Sequence, residues 1–211
     1  MGGAATAKVV PGNFLKAGIH NVYFRGVTKA DGYNAIEFKF EAVDGSGIHN
    51  ERIFAPTSAE RTESQYGTNP SQVEQFMCKI KAIIDAINPE AGKKIEEGAK
   101  FEAPDFDSFI LLVSKTLSPK IGCTTNIKLV PTKGNYVGFP GFIAALNKEG
   151  TLYIKNRIIG EGLELSPKEK TAIEAAANAK PTNMATSANE LDDLKADFET
   201  PETKEDDGLP F

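Results

Sequence analysis

Two short runs place an aromatic ring and cations together on one face of an extended chain. In "TLYIKNRII" (151–159), Leu152, Ile154 and Ile158 alternate with Tyr153, Lys155 and Arg157, with Asn156 interrupting the apolar side. In "IHNVYFRGV" (19–27), Tyr23 and Arg25 share one face, while Val22 and Phe24 share the other. A ring can stack on an unpaired base and a cation can neutralise a phosphate, so such rows suit a single nucleic-acid strand. Either row alone also fits an ordinary solvated strand face; their joint occurrence favours a basic, aromatic-lined groove.

A third set lies in "KGNYVGFPGFIAALNKEG" (133–150), where Lys133, Tyr136, Phe139, Phe142 and Lys148 stand among four glycines. On a flexible hairpin these rings could close over bases, or Phe139 and Phe142 could pack beneath it. Lys29 and Tyr33 flank the turn "DGY" (31–33), and Arg52 and Arg61 follow; these are weaker candidates for backbone contacts. Phe38, Phe40 and Phe54 are assigned to the core.

Catalytic constellations are missing. The sequence has no GxxxxGK[ST], GxSxG or HExxH. Asp105 and Asp107 could bind magnesium in a nuclease, but no base or lysine groups with them, and helix capping accounts for them better. His20 and His49 are the only histidines, and Cys78 and Cys123 have no partner at ligand spacing. The expectation is a non-enzyme without cofactor or metal, holding two reduced thiols in the cytoplasm. No stretch approaches the ~20 apolar residues of a membrane span.

The elements that must position these residues follow from period and punctuation. Residues 1–13 read as a flexible leader. "NAIEFKFEAV" (34–43) puts Ile36, Phe38, Phe40 and Ala42 on one face and Glu37, Lys39 and Glu41 on the other, a half-buried antiparallel strand. With 19–27 before it and "IHNERIFA" (48–55) after the turn "DGSG" (44–47), it makes a three-strand meander. Residues 56–69 are polar and irregular. A helix opens at "NPSQ", with Asn69 as cap, Pro70 at the first helical position and Gln72 completing a capping-box-like pair. Its stripe runs from Val73 through Phe76, Ile80, Ile83 and Ile84 to Ile87, and Asn88-Pro89 stops it. A second helix at 105–117 competes with a strand at "FILLV". Strands return at 124–132 and 151–159, and Ser166 with Glu169 boxes a last helix to about 177. This order gives a mainly β chain with helical insertions (α+β): a five-stranded oligonucleotide/oligosaccharide-binding barrel over 14–179, with a helical insertion (about 70–117) between strands three and four. In such a barrel the connection between strands four and five is a binding loop.

From about 180 the chain turns to Ala, Thr, Ser, Asn, Asp and Glu and cannot bury enough apolar surface to order itself. Net charge is −5 over 211 residues. Glu190–Phe211 holds nine Asp and Glu against two Lys, a net of −7; the other 189 residues carry 20 acids and 22 Lys and Arg, a net of +2. An acidic tail hangs from a mildly basic body.

That tail closes on Glu205, Asp206, Asp207, Gly208, Leu209, Pro210 and Phe211. The run resembles the tip of bacterial and phage single-stranded DNA-binding proteins, which end on acidic residues, an aliphatic residue, Pro and Phe. Gly208 within the acidic run and Leu209 in place of the commoner isoleucine are departures, and the long insertion points to a divergent phage-encoded member. The resemblance implies non-specific binding of single-stranded DNA in replication, recombination and repair. It also implies recruitment of a polymerase, helicase, primase or recombinase through Asp206, Asp207, Leu209, Pro210 and Phe211, in a monomer, dimer or tetramer. The alternative is a barrel that docks proteins in a replication or recombination complex without binding DNA.

Overall fold

The computed structural model describes residues 13–65, 67–132, 136–155 and 157–178. The alternating segments form the expected meander of β1 (Gly18–Lys29), β2 (Ala35–Ala42) and β3 (Ile48–Phe54). β1 is long enough to turn a corner. Its first half pairs with β6 (Thr124–Pro131), and its second half, from Val22, pairs with β2. A bulge between Phe24 and Gly26 leaves Arg25 without a register partner and projects it outward with Tyr23. Gly26 has φ +126° there, a backbone that a side chain would strain.

The sheet order is β3-β2-β1-β6-β7, all neighbours antiparallel, with β7 at Val137–Gly138. This is a nearly closed five-strand barrel of the oligonucleotide-binding kind. The Glu51 side chain spans the gap between β3 and β7. The buried Glu51 carboxylate accepts the Phe139 backbone N–H at 3.0 Å, and the same oxygen lies 2.8 Å from His49 Nε2. At the start of β3 the edge is covered by residues 13–15, through Ile48 N–H to Asn13 O and Leu15 N–H to Ile48 O. A Cβ on Gly47 would meet Asn13 O at 2.6 Å, so this close approach requires glycine.

The fifth barrel position departs from expectation. Only Leu152–Ile154 (β9) of the 151–159 run is strand, and it pairs with β8 (Ala144–Leu146) in a separate hairpin. β7 pairs with the end of β6 at Val130 and Pro131, while Ile159 bridges to Ile127 near its beginning. The position is thus shared by two pieces, and the chain between them leaves the sheet. The segment expected to be only a binding loop supplies β7, and the expected fifth strand returns to the sheet only at its last residues.

Between β3 and β6 lie a small hairpin, β4 (Thr62–Ser64) with β5 (Gly67–Asn69), and three helices: α1 (Gln72–Ile87), α2 (Pro89–Glu96) and α3 (Phe106–Leu117). The 56–69 stretch is therefore not wholly irregular, and 105–117 is helix rather than strand. The cap of α1 is Ser71, not Asn69: its hydroxyl accepts the Glu74 N–H while the Glu74 carboxylate accepts the Ser71 N–H. Asn88 ends α1 and caps α2 as well. The apolar faces of α1 and α3 meet the barrel core of Phe24, Phe38, Phe40, Ile127 and Leu129, with the Phe76, Phe106 and Phe109 rings in mutual contact. Both cysteines are free.

α4 (Pro167–Asn178) has no fully buried residue, and an ion pair ties it to β6. Lys128 points off the barrel's outer face yet is only 3% exposed, and its ammonium lies 3.1 Å from the Glu169 carboxylate. The same carboxylate accepts the Ser166 N–H, closing the expected capping box. Burial pushes Glu169 up, but the Ser166 N–H and the Lys128 ammonium outweigh it and hold its pKa below the usual glutamate value. A lowered folded-state pKa means stabilisation that is present above the unfolded pKa and lost as pH falls through the folded one. Glu169→Ala leaves the buried ammonium with only the Glu164 carbonyl, 3.3 Å away, in place of a carboxylate. The expected result is about tenfold or greater loss of amide-exchange protection confined to α4 at neutral pH, with wild type approaching the same state on acidification.

Candidate nucleic-acid interface

The outer face of the meander is set by the parity that fills the core. On β3, His49, Glu51 and Ile53 point inward and Asn50, Arg52 and Phe54 outward. On β2 the outward residues are Glu37, Lys39 and Glu41, and on β1 they are Tyr23 and Arg25. Phe54 is therefore not core: it is 58% exposed, beside Tyr33 (51% exposed), with ring centroids 6.1 Å apart and edge to face. The Arg52 guanidinium lies over Tyr33, its carbon 5.2 Å from the ring centroid, and its Nε donates to Glu37 at 2.7 Å. That bond raises Arg52 above its usual pKa. At the other end of the face, Arg25 lies over Tyr23 at 4.9 Å and donates Nε to Glu41 at 2.6 Å.

No protein-family model matches the chain, and neither does any curated protein or solved structure. The chemistry of the face rests on its own side chains. Two exposed rings and two guanidiniums, each lying over a tyrosine, line a strip from β1 across β2 to β3 and the β1–β2 turn. In barrels of this architecture, the face of strands two and three and the turn between strands one and two are where oligonucleotides or oligosaccharides bind. Rings and guanidinium planes accept the π-face of any base. The strip is not strongly basic. Arg25, Lys39 and Arg52 stand against Glu37 and Glu41, each cation within ion-pair distance of a carboxylate.

The other predicted site residues separate into groups. Lys29 is held by Asp107 on α3, both carboxylate oxygens within 2.8 Å, which also gives Asp107 a structural role; Asp105 caps α3. Phe139 is buried at 3% exposure, packed on Phe40 and His49, and cannot stack on a base. Tyr136 is 71% exposed next to the β6–β7 turn, and Phe142 is 81% exposed. Tyr153 and Lys155 are exposed on the β8–β9 excursion, outside the barrel sheet. Arg157 is exposed and donates to Glu161 O. It lines a cleft of about 670 Å³ with Asn21 and with Thr124, the register partner of Tyr23. Asp85 and Glu161 line that cleft too, so carboxylates outnumber the cation and it is a poor seat for phosphate. Arg61 pairs with Glu74. Lys133, Asp206, Asp207, Leu209, Pro210 and Phe211 lie outside the described residues.

The sequence reading missed Phe54, Glu37 and Glu41. The signal for Phe54 was present: it shares parity with Arg52 and differs from Ile53. Among the described residues no group of His, Cys, Asp or Glu could hold a metal ion, and no helix is long and apolar enough to cross a membrane.

Proposed function

We propose that this chain binds single-stranded DNA across the outer face of β1, β2 and β3, without strong sequence preference. The observation that carries this is the exposed Tyr33, Arg52 and Phe54 group at the β1–β2 turn. Exposed rings cost free energy in water unless something covers them, and here each is more than half exposed, with only the other ring's edge and, on Tyr33, the Arg52 guanidinium against it. A base supplies the missing apolar face, and its phosphate meets the arginine edge. The role in replication, recombination and repair, with partners held by the acidic tip at Asp206, Asp207, Leu209, Pro210 and Phe211, belongs to the same reading. It is supported by the charge split between the acidic 190–211 stretch and the rest of the chain.

The modest charge of the strip sets the test. With its three cations as the only phosphate partners, the slope of log K against log salt for a single strand is no steeper than about −2. A titration of oligo-dT at several salt concentrations, followed by quenching of the tyrosine emission, measures it; the sequence has five tyrosines and no tryptophan. A slope near −5 would require phosphate contacts far beyond the strip and would move the site elsewhere.

A further inference from the structure

The strip repeats one arrangement at its two ends. Arg25 and Arg52 are each tied through Nε to a glutamate of β2, at 2.6 Å and 2.7 Å, and each lies over a tyrosine ring. The two carboxylates, Glu41 and Glu37, are four residues apart on one strand face, about 13 Å along the strand. Neither arginine uses a terminal Nη on a described residue. The tied nitrogen is the one nearest the backbone, so each guanidinium is fixed at its root. Its second face and outer edge remain available.

This arrangement decides what a base would meet. The tyrosine faces under Arg25 and Arg52 are already covered. Guanidinium planes, like rings, are surfaces on which splayed bases stack. We propose that Glu37 and Glu41 are positioning residues of the single-strand site, each holding an arginine over its tyrosine so that an unpaired base stacks on the guanidinium. The Nη edge then faces a phosphate oxygen or a base acceptor, with the fork geometry that suits either. This rests on the single-strand reading above and adds a sign that plain electrostatics does not share. If the two carboxylates only repelled the phosphate chain, removing them would tighten binding. If they hold the stacking layer, removing them loosens it.

Glu41 gives the cleaner test, because its side chain is 21% exposed against 10% for Glu37. Glu41→Ala and Glu37→Ala are each expected to bind oligo-dT about fivefold more weakly although a negative charge is lost, the low end of one base stack. Glu41→Gln keeps an acceptor oxygen for Arg25 Nε and is expected to stay within about twofold of wild type. Adding Arg25→Ala to Glu41→Ala is expected to cost less than its single effect, because the two act as one unit. Melting temperatures of all variants identify any that lose the fold, and Glu41→Gln against Glu41→Ala settles the sign if Glu37→Ala does not fold. Unchanged or tighter binding by Glu41→Ala, or additive losses in the double variant, overturns the proposal while leaving the single-strand reading in place. If wild type itself binds no oligo-dT, both fall.

Discussion

Replacing Tyr33 and Phe54 together with alanine is expected to weaken oligo-dT binding by at least about 30-fold, from roughly 1 kcal/mol or more each for the stack on Phe54 and for the stack on the Arg52 guanidinium that Tyr33 supports. Both rings are more than half exposed and touch each other edge to face, so their removal opens no hole in the core. The melting temperature should therefore hardly change. Arg52 loses the ring beneath it but keeps its bond to Glu37, and the strip keeps its charge, so the salt dependence should persist as affinity falls. The measurement is a fluorescence-anisotropy titration with labelled oligo-dT beside a thermal melt. Retained affinity with a normal melt would mean that the rings are ordinary surface.

Replacing Glu51 with alanine is expected to act in the opposite way, with a large loss of stability that reaches binding only through the fold. Glu51 is buried, and one of its oxygens serves both His49 Nε2 and the Phe139 N–H across the gap between β3 and β7. A carboxylate oxygen accepts but cannot donate, so its loss orphans two donors. The cost is about 1–3 kcal/mol for each buried donor left without its acceptor. Lys79 on α1 adds to it. Burial pulls the Lys79 ammonium below its usual pKa and the Glu51 carboxylate opposes that, so without Glu51 the Lys79 pKa should fall further. Chemical denaturation checks the first effect, and titration of Lys79 by NMR the second. The tie also explains why Phe139 is buried: its own N–H is the closing bond, and its ring fills the space beside Phe40 and His49.

The sequence carried what is periodic and half-buried. β2 was readable because one face is core and the other solvent, and the outward pairing of Tyr23 with Arg25 survived a bulge that keeps both on the outside. α1 was readable by its stripe, though its cap was misplaced by two residues because "NPS" offers two candidates and only Ser71 reaches the Glu74 N–H. What escaped lacks period. β7 has two residues, β4 and β5 have three each, and α2 is eight residues with a glycine inside. The 151–159 run has the residues of a strand, but the barrel edge it was expected to fill is partly taken by β7. It therefore pairs with β8 and rejoins the barrel at Ile158 and Ile159. Phe54 was misassigned by residue type. Aromatics are usually core, and here the strand's parity overrules that habit.

The central claim is that the outer face of the meander selects unpaired bases. The most direct measurement is a competition at low salt between oligo-dT and duplex DNA of matched length, using the full chain and following tyrosine quenching. Strong preference for the single strand, with quenching that is lost in Tyr33→Ala with Phe54→Ala, is the predicted result. Equal affinity for single strand and duplex, or binding without any change in tyrosine emission, would contradict it.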